Sequence, residues 1–200
     1  MRIVESCSPS DVVCDMFAGI GPFALPCAKR GCKVLANDLN PESYKCLVEN
    51  AKLNRVTIEA FNLDGREFVA RLCGEASTKF PFSVVLMNLP KDAVEFLDVF
   101  VGCMPNLEPN ALLPTIYCYA FCKPESDDLA ARVLKAIDWD VAEDGPLALD
   151  LRKVRDISPK KFMFCVKFVL PRSVATRSTR VKRRKVDDGS DKDNAANQKH

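Results

Sequence analysis

Short apolar runs alternate with longer amphipathic stretches five times along this chain, and that rhythm constrains the fold more than any other feature. Apolar runs bounded by turn residues read as buried strands. Stretches with a 3.6-residue apolar period read as helices. The strand-like runs are DVVCDMF (11–17), CKVLAND (32–38), VTIEAFN (56–62), FSVVLMNLP (82–90) and ALLPTIYCYAF (111–121). Between and after them come GPFALPCAKRG (21–31), NPESYKCLVENAKLNR (40–55) with Asn40 as its N-cap, GREFVARLCG (65–74), DAVEFLDVFVGCM (92–104) and ESDDLAARVLKAI (125–137). Two last strands, LRKVRDIS (151–158) and KKFMFCVKFVLP (160–171), meet at Ser158-Pro159 and are expected to pair antiparallel. The predicted fold is α/β: a mostly parallel seven-stranded sheet, helices on both faces, and an antiparallel C-terminal strand pair.

A chain of 200 residues that is 48% hydrophobic supports one domain core. From Arg172 onward the apolar content falls and periodicity disappears. Residues 1–171 are therefore expected to form the domain, and 172–200 a basic, disordered tail. Within that tail RVKRRK (180–185) fits nuclear import or added affinity for RNA phosphate, and equally a solubilising role. The net charge of +2 implies no nucleic-acid partner by itself. Ten cysteines occur without a C-x-x-C pair, and the single histidine is His200. No metal site is expected; the cysteines read as small buried hydrophobes in a reducing compartment. No apolar run reaches about 18 residues, so no membrane span is predicted. MRIVESCSPSD has neither signal-peptide nor transit-peptide character, and the chain reads as soluble and intracellular.

In open parallel sheets ligands sit at the carboxyl ends of the strands. The first four strands end in Asp15, Asp38, Asp64 and Asn88. Any one of these could be a helix cap, but four in register outline a polar crevice. FAGIG follows the first strand, with Gly19 and Gly21 at the first two positions of a dinucleotide fingerprint and Ala24 at the third. A carboxylate at Asp15, just before that turn, would repel a pyrophosphate. It suits a cofactor that presents a cation. Asp38 can take two ribose hydroxyls and Asp64 an adenine amino group. The set describes S-adenosyl-L-methionine rather than a nicotinamide dinucleotide. At the fourth tip Asn88 can read a base edge, and Pro90 rigidifies the backbone. No cysteine stands there to attack a base, so direct transfer to nitrogen is expected. Lys91, Arg152, Lys153 and Arg155 are candidate phosphate contacts.

DMFAGIGPFALPCAK, ANDLNPESYKCLVENAKLN, MNLPKDAVEFLDVF, IYCYAF and VRDISPKKFMFCVKFVLP closely resemble the tRNA (guanine-37-N1)-methyltransferase family of archaeal and eukaryotic type. The resemblance spans roughly residues 1 to 171. It implies a Rossmann-like class I methyltransferase fold that moves a methyl group from S-adenosylmethionine to N1 of the guanosine beside the anticodon. By the same resemblance Asp15, Phe17, Ala18, Gly19 and Gly21 line the methionine side, and Asp38, Leu39 and Asn40 the ribose. Asp64 and Gly65 meet the adenine, and Asn88 and Pro90 face the target guanine. The implied partner is the anticodon loop of tRNA, engaged by a monomer. Family members occur in cytosol, nucleus and mitochondrial matrix; the cytoplasm is expected for this chain.

The sequence departs from the family pattern at its start. Family members carry further N-terminal domains that grip the tRNA, and a Glu-Arg segment shortly before the first strand. RIVES stands where that segment would end. The expectation is a truncated chain without the general base. Two rivals stay open: a wybutosine-pathway transferase that moves the aminocarboxypropyl group instead, and a binding module without turnover. Pro22 and the AND tripeptide at 36–38 argue against the first.

Overall fold

The computed structural model describes residues 3–74 and 76–178. Seven strands make one sheet: β1 (Val12–Asp15), β2 (Lys33–Asn37), β3 (Glu59–Phe61), β4 (Val84–Met87), β5 (Thr115–Cys122), β6 (Asp150–Ser158) and β7 (Lys161–Val169). Their order across the sheet is β3-β2-β1-β4-β5-β7-β6. β1 to β5 are parallel, and β7 is antiparallel to both of its neighbours. The mostly parallel sheet and the antiparallel C-terminal pair are as expected, with one refinement. β7 inserts between β5 and β6, so only β7 runs against the rest. Burial explains this placement. β7 buries Met163, Cys165, Val166 and Phe168, whereas the highly charged β6 is exposed almost throughout and takes the edge.

The helices are α1 (Ile3–Ser6), α2 (Ala24–Lys29), α3 (Pro41–Leu53), α4 (Gly65–Cys73), α5 (Leu129–Ala136), α6 (Val141–Asp144) and α7 (Arg172–Ala175), with a 3₁₀ helix over Ala93–Phe100. α2 and α3 put Leu25, Cys27 and Leu47 against Val13, Val34 and Leu86 on one face. On the other, α4, the 3₁₀ helix and α5 put Phe68, Leu97, Phe100 and Val133 against Cys14, Val85 and Ile116. Strands covered on both faces need the near-continuous apolar runs seen in the sequence. All ten cysteines are free thiols and eight are buried, which makes them packing residues. Among the described residues no helix is long and apolar enough to cross a membrane.

Three expectations are corrected. The stretch 92–104 forms a 3₁₀ helix over Ala93–Phe100 rather than a longer α-helix. Its buried Val94, Leu97 and Phe100 recur every third residue, which stacks them on one face at three residues per turn. The expected helix at 21–31 begins only at Ala24, because Pro22 and Phe23 form a turn. Finally, the domain does not stop at residue 171. α7 follows it, Val174 and Ala175 are fully buried, and their carbonyls accept from the N–H groups of Gly102 and Met104, both at 2.8 Å. Arg172 donates to the carbonyls of Glu108 and Ala111. The basic cluster 180–185 lies outside the described residues.

A chain ending at Pro171 should therefore be less stable than one ending at Ser178. Two lost buried side chains and two orphaned amides predict a deficit of about 2–4 kcal/mol in urea denaturation. Equal midpoints would show that α7 only decorates the fold.

Candidate functional site

The chain runs outward from β1 to β3, then returns to place β4 on the other side of β1. This reversal opens a crevice at the carboxyl ends of β1 and β4. Asp15 ends β1 at that point, paired in register with Ala36 on one side and Leu86 on the other. It is fully buried, and neither carboxylate oxygen has a hydrogen-bond partner among the described residues. Burial pushes its pKa up to about 7; the nearby Asp38 charge adds to the rise, while the amides of Phe17 and Ala24 approach closely enough to oppose it. A buried, unpaired acid of this kind is costly unless something cationic or donating meets it.

The glycine turn lies directly above. Gly19 has φ +55° and open space where a Cβ would project. Gly21 has φ +97°, and a Cβ there would lie 2.7 Å from Leu25 Cγ. The left-handed backbone disfavours an ordinary side chain at both positions, and at Gly21 the contact with Leu25 adds to the strain. Asp38, just past β2, fixes the turn: Oδ2 accepts from Gly19 N–H at 2.8 Å and Oδ1 from Asn40 N–H at 2.9 Å. A carboxylate offers about four acceptor positions, so Asp38 still has capacity for two hydroxyls. Exposed apolar Ile20 and Leu39 flank this edge.

Asn40 caps its helix as expected, and Asp64 turns out to be a helix cap as well. Asn40 accepts from Glu42 N–H at the start of α3, and Asp64 Oδ1 from Arg66 N–H at the start of α4. Gly65 is buried under the Phe17 ring, whose Cε1 lies 3.0 Å from where a Cβ would stand. Phe17 in turn meets Phe96 edge-to-face with centroids 5.0 Å apart. Ala18 is buried and gives its amide to Asn37 carbonyl. Across the switch point Asn88 and Pro90 are half-buried after β4. Pro90 carbonyl accepts from Phe121 N–H, which ties this loop to β5. Lys91 is exposed beside it, but Arg152, Lys153 and Arg155 lie on β6 at the sheet edge, away from the β1–β4 crevice.

One residue escaped the sequence reading. Asn37, 1% exposed, donates to the carbonyls of Met16 and Leu63 and accepts from Leu63 N–H at 3.0 Å. It knots the first three strand ends together. Its signal was an amide closing an apolar strand, next to the acid that drew attention instead. Larger hollows lie off the tips, one of about 1100 Å³ between the 3₁₀ helix and α5 and one of about 630 Å³ beyond β5. The strand tips are singled out by chemistry rather than by size.

A family model described as the TRM5/TYW2 methyltransferase domain matches residues 1–107. The chain belongs to this family. Among TRM5/TYW2-related proteins, a tRNA (guanine(37)-N(1))-methyltransferase of Phytophthora infestans is 45% identical over 197 residues, covering 93% of this chain and 46% of its own length. One from Ciona intestinalis is 46% identical over 189 residues, covering 84% and 40%. This chain thus spans less than half the length of those curated relatives. Of solved structures, Trm5b of Pyrococcus abyssi superposes with a TM-score of 0.62 at 29% identity, covering 84% of this chain and 47% of that one. Methanocaldococcus jannaschii Trm5 in complex with adenosine gives 0.60 at 28% identity, covering 84% and 46%.

Two outcomes follow from this TRM5/TYW2 site. Folded, Asp15 holds its proton up to about pH 7, against an unfolded value near 3.8. The ligand-free protein should therefore lose stability as pH rises from about 4 to about 7, by up to roughly 4 kcal/mol. Asp15→Asn should remove that pH dependence and be the more stable form above pH 7 in thermal unfolding. Asn37→Ala should cost about 2–4 kcal/mol at any pH, because it strands the Met16 and Leu63 groups. A neutral result in urea titration would deny Asn37 its knotting role.

Proposed function

We propose that this chain transfers the methyl group of S-adenosylmethionine to N1 of guanosine 37 in tRNA. The observation that carries the reading is Asp15, a buried carboxylate without a partner, under a glycine turn that Asp38 holds open. The names of the relatives from Phytophthora infestans and Ciona intestinalis support the reaction, and the adenosine complex of the Methanocaldococcus jannaschii protein supports the ligand class.

The residues present fit the cofactor. Asp15 would meet the ammonium of the methionine moiety, which relieves the cost of its burial. Asp38 would accept from the ribose hydroxyls with the lone pairs left over from Gly19 and Asn40. Leu39 and Ile20 offer apolar cover, and Asp64 keeps Oδ2 for an amino group while Oδ1 caps α4. When bound, S-adenosylmethionine supplies an electrophilic methyl group on a sulfonium centre. The three acids at the tips favour such a cation and disfavour a pyrophosphate.

Asn88 would orient the guanine. Its side chain is half-buried and has no hydrogen-bond partner among the described residues, so its acceptor and two donors remain for a base edge. Pro90 holds the loop rigid, and its carbonyl is anchored to β5. Transfer to N1 also requires that N1 lose its proton to a base as the new carbon–nitrogen bond forms. Orientation and a preorganised polar edge supply the rest of the rate.

Calorimetry with S-adenosylmethionine, run beside methyl transfer to tRNA transcripts carrying guanosine or adenosine at position 37, tests the reading. Binding is expected, with Asp38→Ala weakening it at least tenfold. Transfer, where it occurs, should demand the guanosine. A folded chain that ignores the cofactor would sink the proposal. Binding without transfer would mean that the proton acceptor is contributed from outside this chain.

A further inference from the structure

β6 and β7 bring four cations onto one side of the sheet. In antiparallel pairing, directly opposed residues share a face. Tyr117, Tyr119 and Phe121 of β5 stand opposite Lys167, Cys165 and Met163 of β7. Asp150 and Arg152 of β6 stand opposite Lys167 and Cys165. Strict alternation would then send Arg155 to the other side, with Lys153. It does not, because a bulge between Lys153 and Arg155 pairs Arg155 with Met163. The inserted residue turns Arg155 onto the face of Arg152. Lys161 joins them by alternation along β7, with Nζ 4.5 Å from the Phe121 ring centroid, and Lys167 Nζ lies 5.5 Å from that of Tyr117.

The result is a column of Arg155, Lys161, Arg152 and Lys167 with one carboxylate, Asp150, already paired with Arg152 at 2.9 Å. From Lys161 to Lys167 the column is about 20 Å long, at roughly 3.3 Å per residue. Both arginines are exposed, and the lysines are half-buried along aromatic rings that lay them flat. One end of the column abuts the site: Phe121, under Lys161, donates its N–H to Pro90 carbonyl at 2.8 Å. Lys153 is different. It lies on the opposite face, held by Asp156 and over the Phe162 ring.

We infer that this face carries the sugar–phosphate backbone of the substrate RNA away from the strand-tip crevice. The inference rests on the methyl-transfer reading above for the identity of the substrate. Lysines and arginines spaced along a strand, without base-reading amides among them, give affinity and orientation rather than sequence preference. The column fits an extended or stem phosphate strand that leaves the site beyond Pro90.

The experiment is a salt series of tRNA transcript binding to the full chain, by fluorescence anisotropy, with calorimetry of S-adenosylmethionine on the same samples. The variants are Arg155→Ala, Lys161→Ala and the Arg155→Glu/Lys161→Glu pair, with Lys153→Ala as the opposite-face control. Each alanine variant should weaken binding about three- to tenfold and flatten the log–log salt slope by about one. The charge-reversed pair should weaken it further. Lys153→Ala and the cofactor affinity should stay at wild-type values, which also shows that the variants fold. If the face variants track Lys153→Ala, or the wild-type chain binds no tRNA at low salt, the inference is overturned, and a protein segment becomes the better occupant of the face. A wild-type chain that binds tRNA through this face yet ignores S-adenosylmethionine would overturn the methyl-transfer reading and leave the face standing.

Discussion

The architecture turns on how three parallel strands end together. Parallel strand tips leave backbone carbonyls and amides facing a crevice, and groups left unpaired in a buried place are costly. Asn37 answers this with one side chain. Its amide takes two carbonyls from the first and third strand exits and returns one acceptor to Leu63. Asp38 then does the same for the glycine turn. With these adjacent residues in place, Gly19 and Gly21 hold positive φ above the tips, and Asp15 is left as the one acid there whose oxygens lack a partner among the described residues. The site is thus defined by where satisfaction stops.

Much of this was legible because the sheet is covered on both faces. A doubly buried strand has no polar face to hide the signal, so VVCD, KVLAN and VVLM stand out as runs. The exit acids were legible for the same reason, as the first polar residues after each run. Their roles were not. A helix cap and a ligand contact call for the same residue types, and Asp64 proves to be a cap whether or not it also meets a ligand, whereas the cap at Asn40 was legible from the Pro41 that follows it. The position of β7 was readable in hindsight from composition: FMFCVKFVL is a central strand, LRKVRD an edge. The short α1, α6 and α7 were not readable. Each is four residues long, less than any periodicity needs, and α7 is fixed by two tertiary amide bonds that no local pattern encodes.

Asp15 also links ligand and fold in one group. An acid raised towards neutrality by burial is a standing cost to the folded chain near pH 7, and a cation at that point cancels it. The same interaction that would select a cationic cofactor would then stabilise the folded domain, in proportion to ligand concentration over affinity.

The bulged, charge-laden β6 has a consequence of another kind. An open sheet has two edges, and an exposed edge with free backbone groups is a template for another chain. This sheet closes one edge with β3, only three residues long and flanked by the Lys33–Glu59 ion pair. It closes the other with a nine-residue strand whose pairing is broken twice by register shifts and which carries charge on both faces, the Asp150–Arg152 pair on one and the Lys153–Asp156 pair on the other. Neither edge presents a flat, neutral ladder, so the longest exposed strand of the protein is also a poor seed for edge-to-edge aggregation.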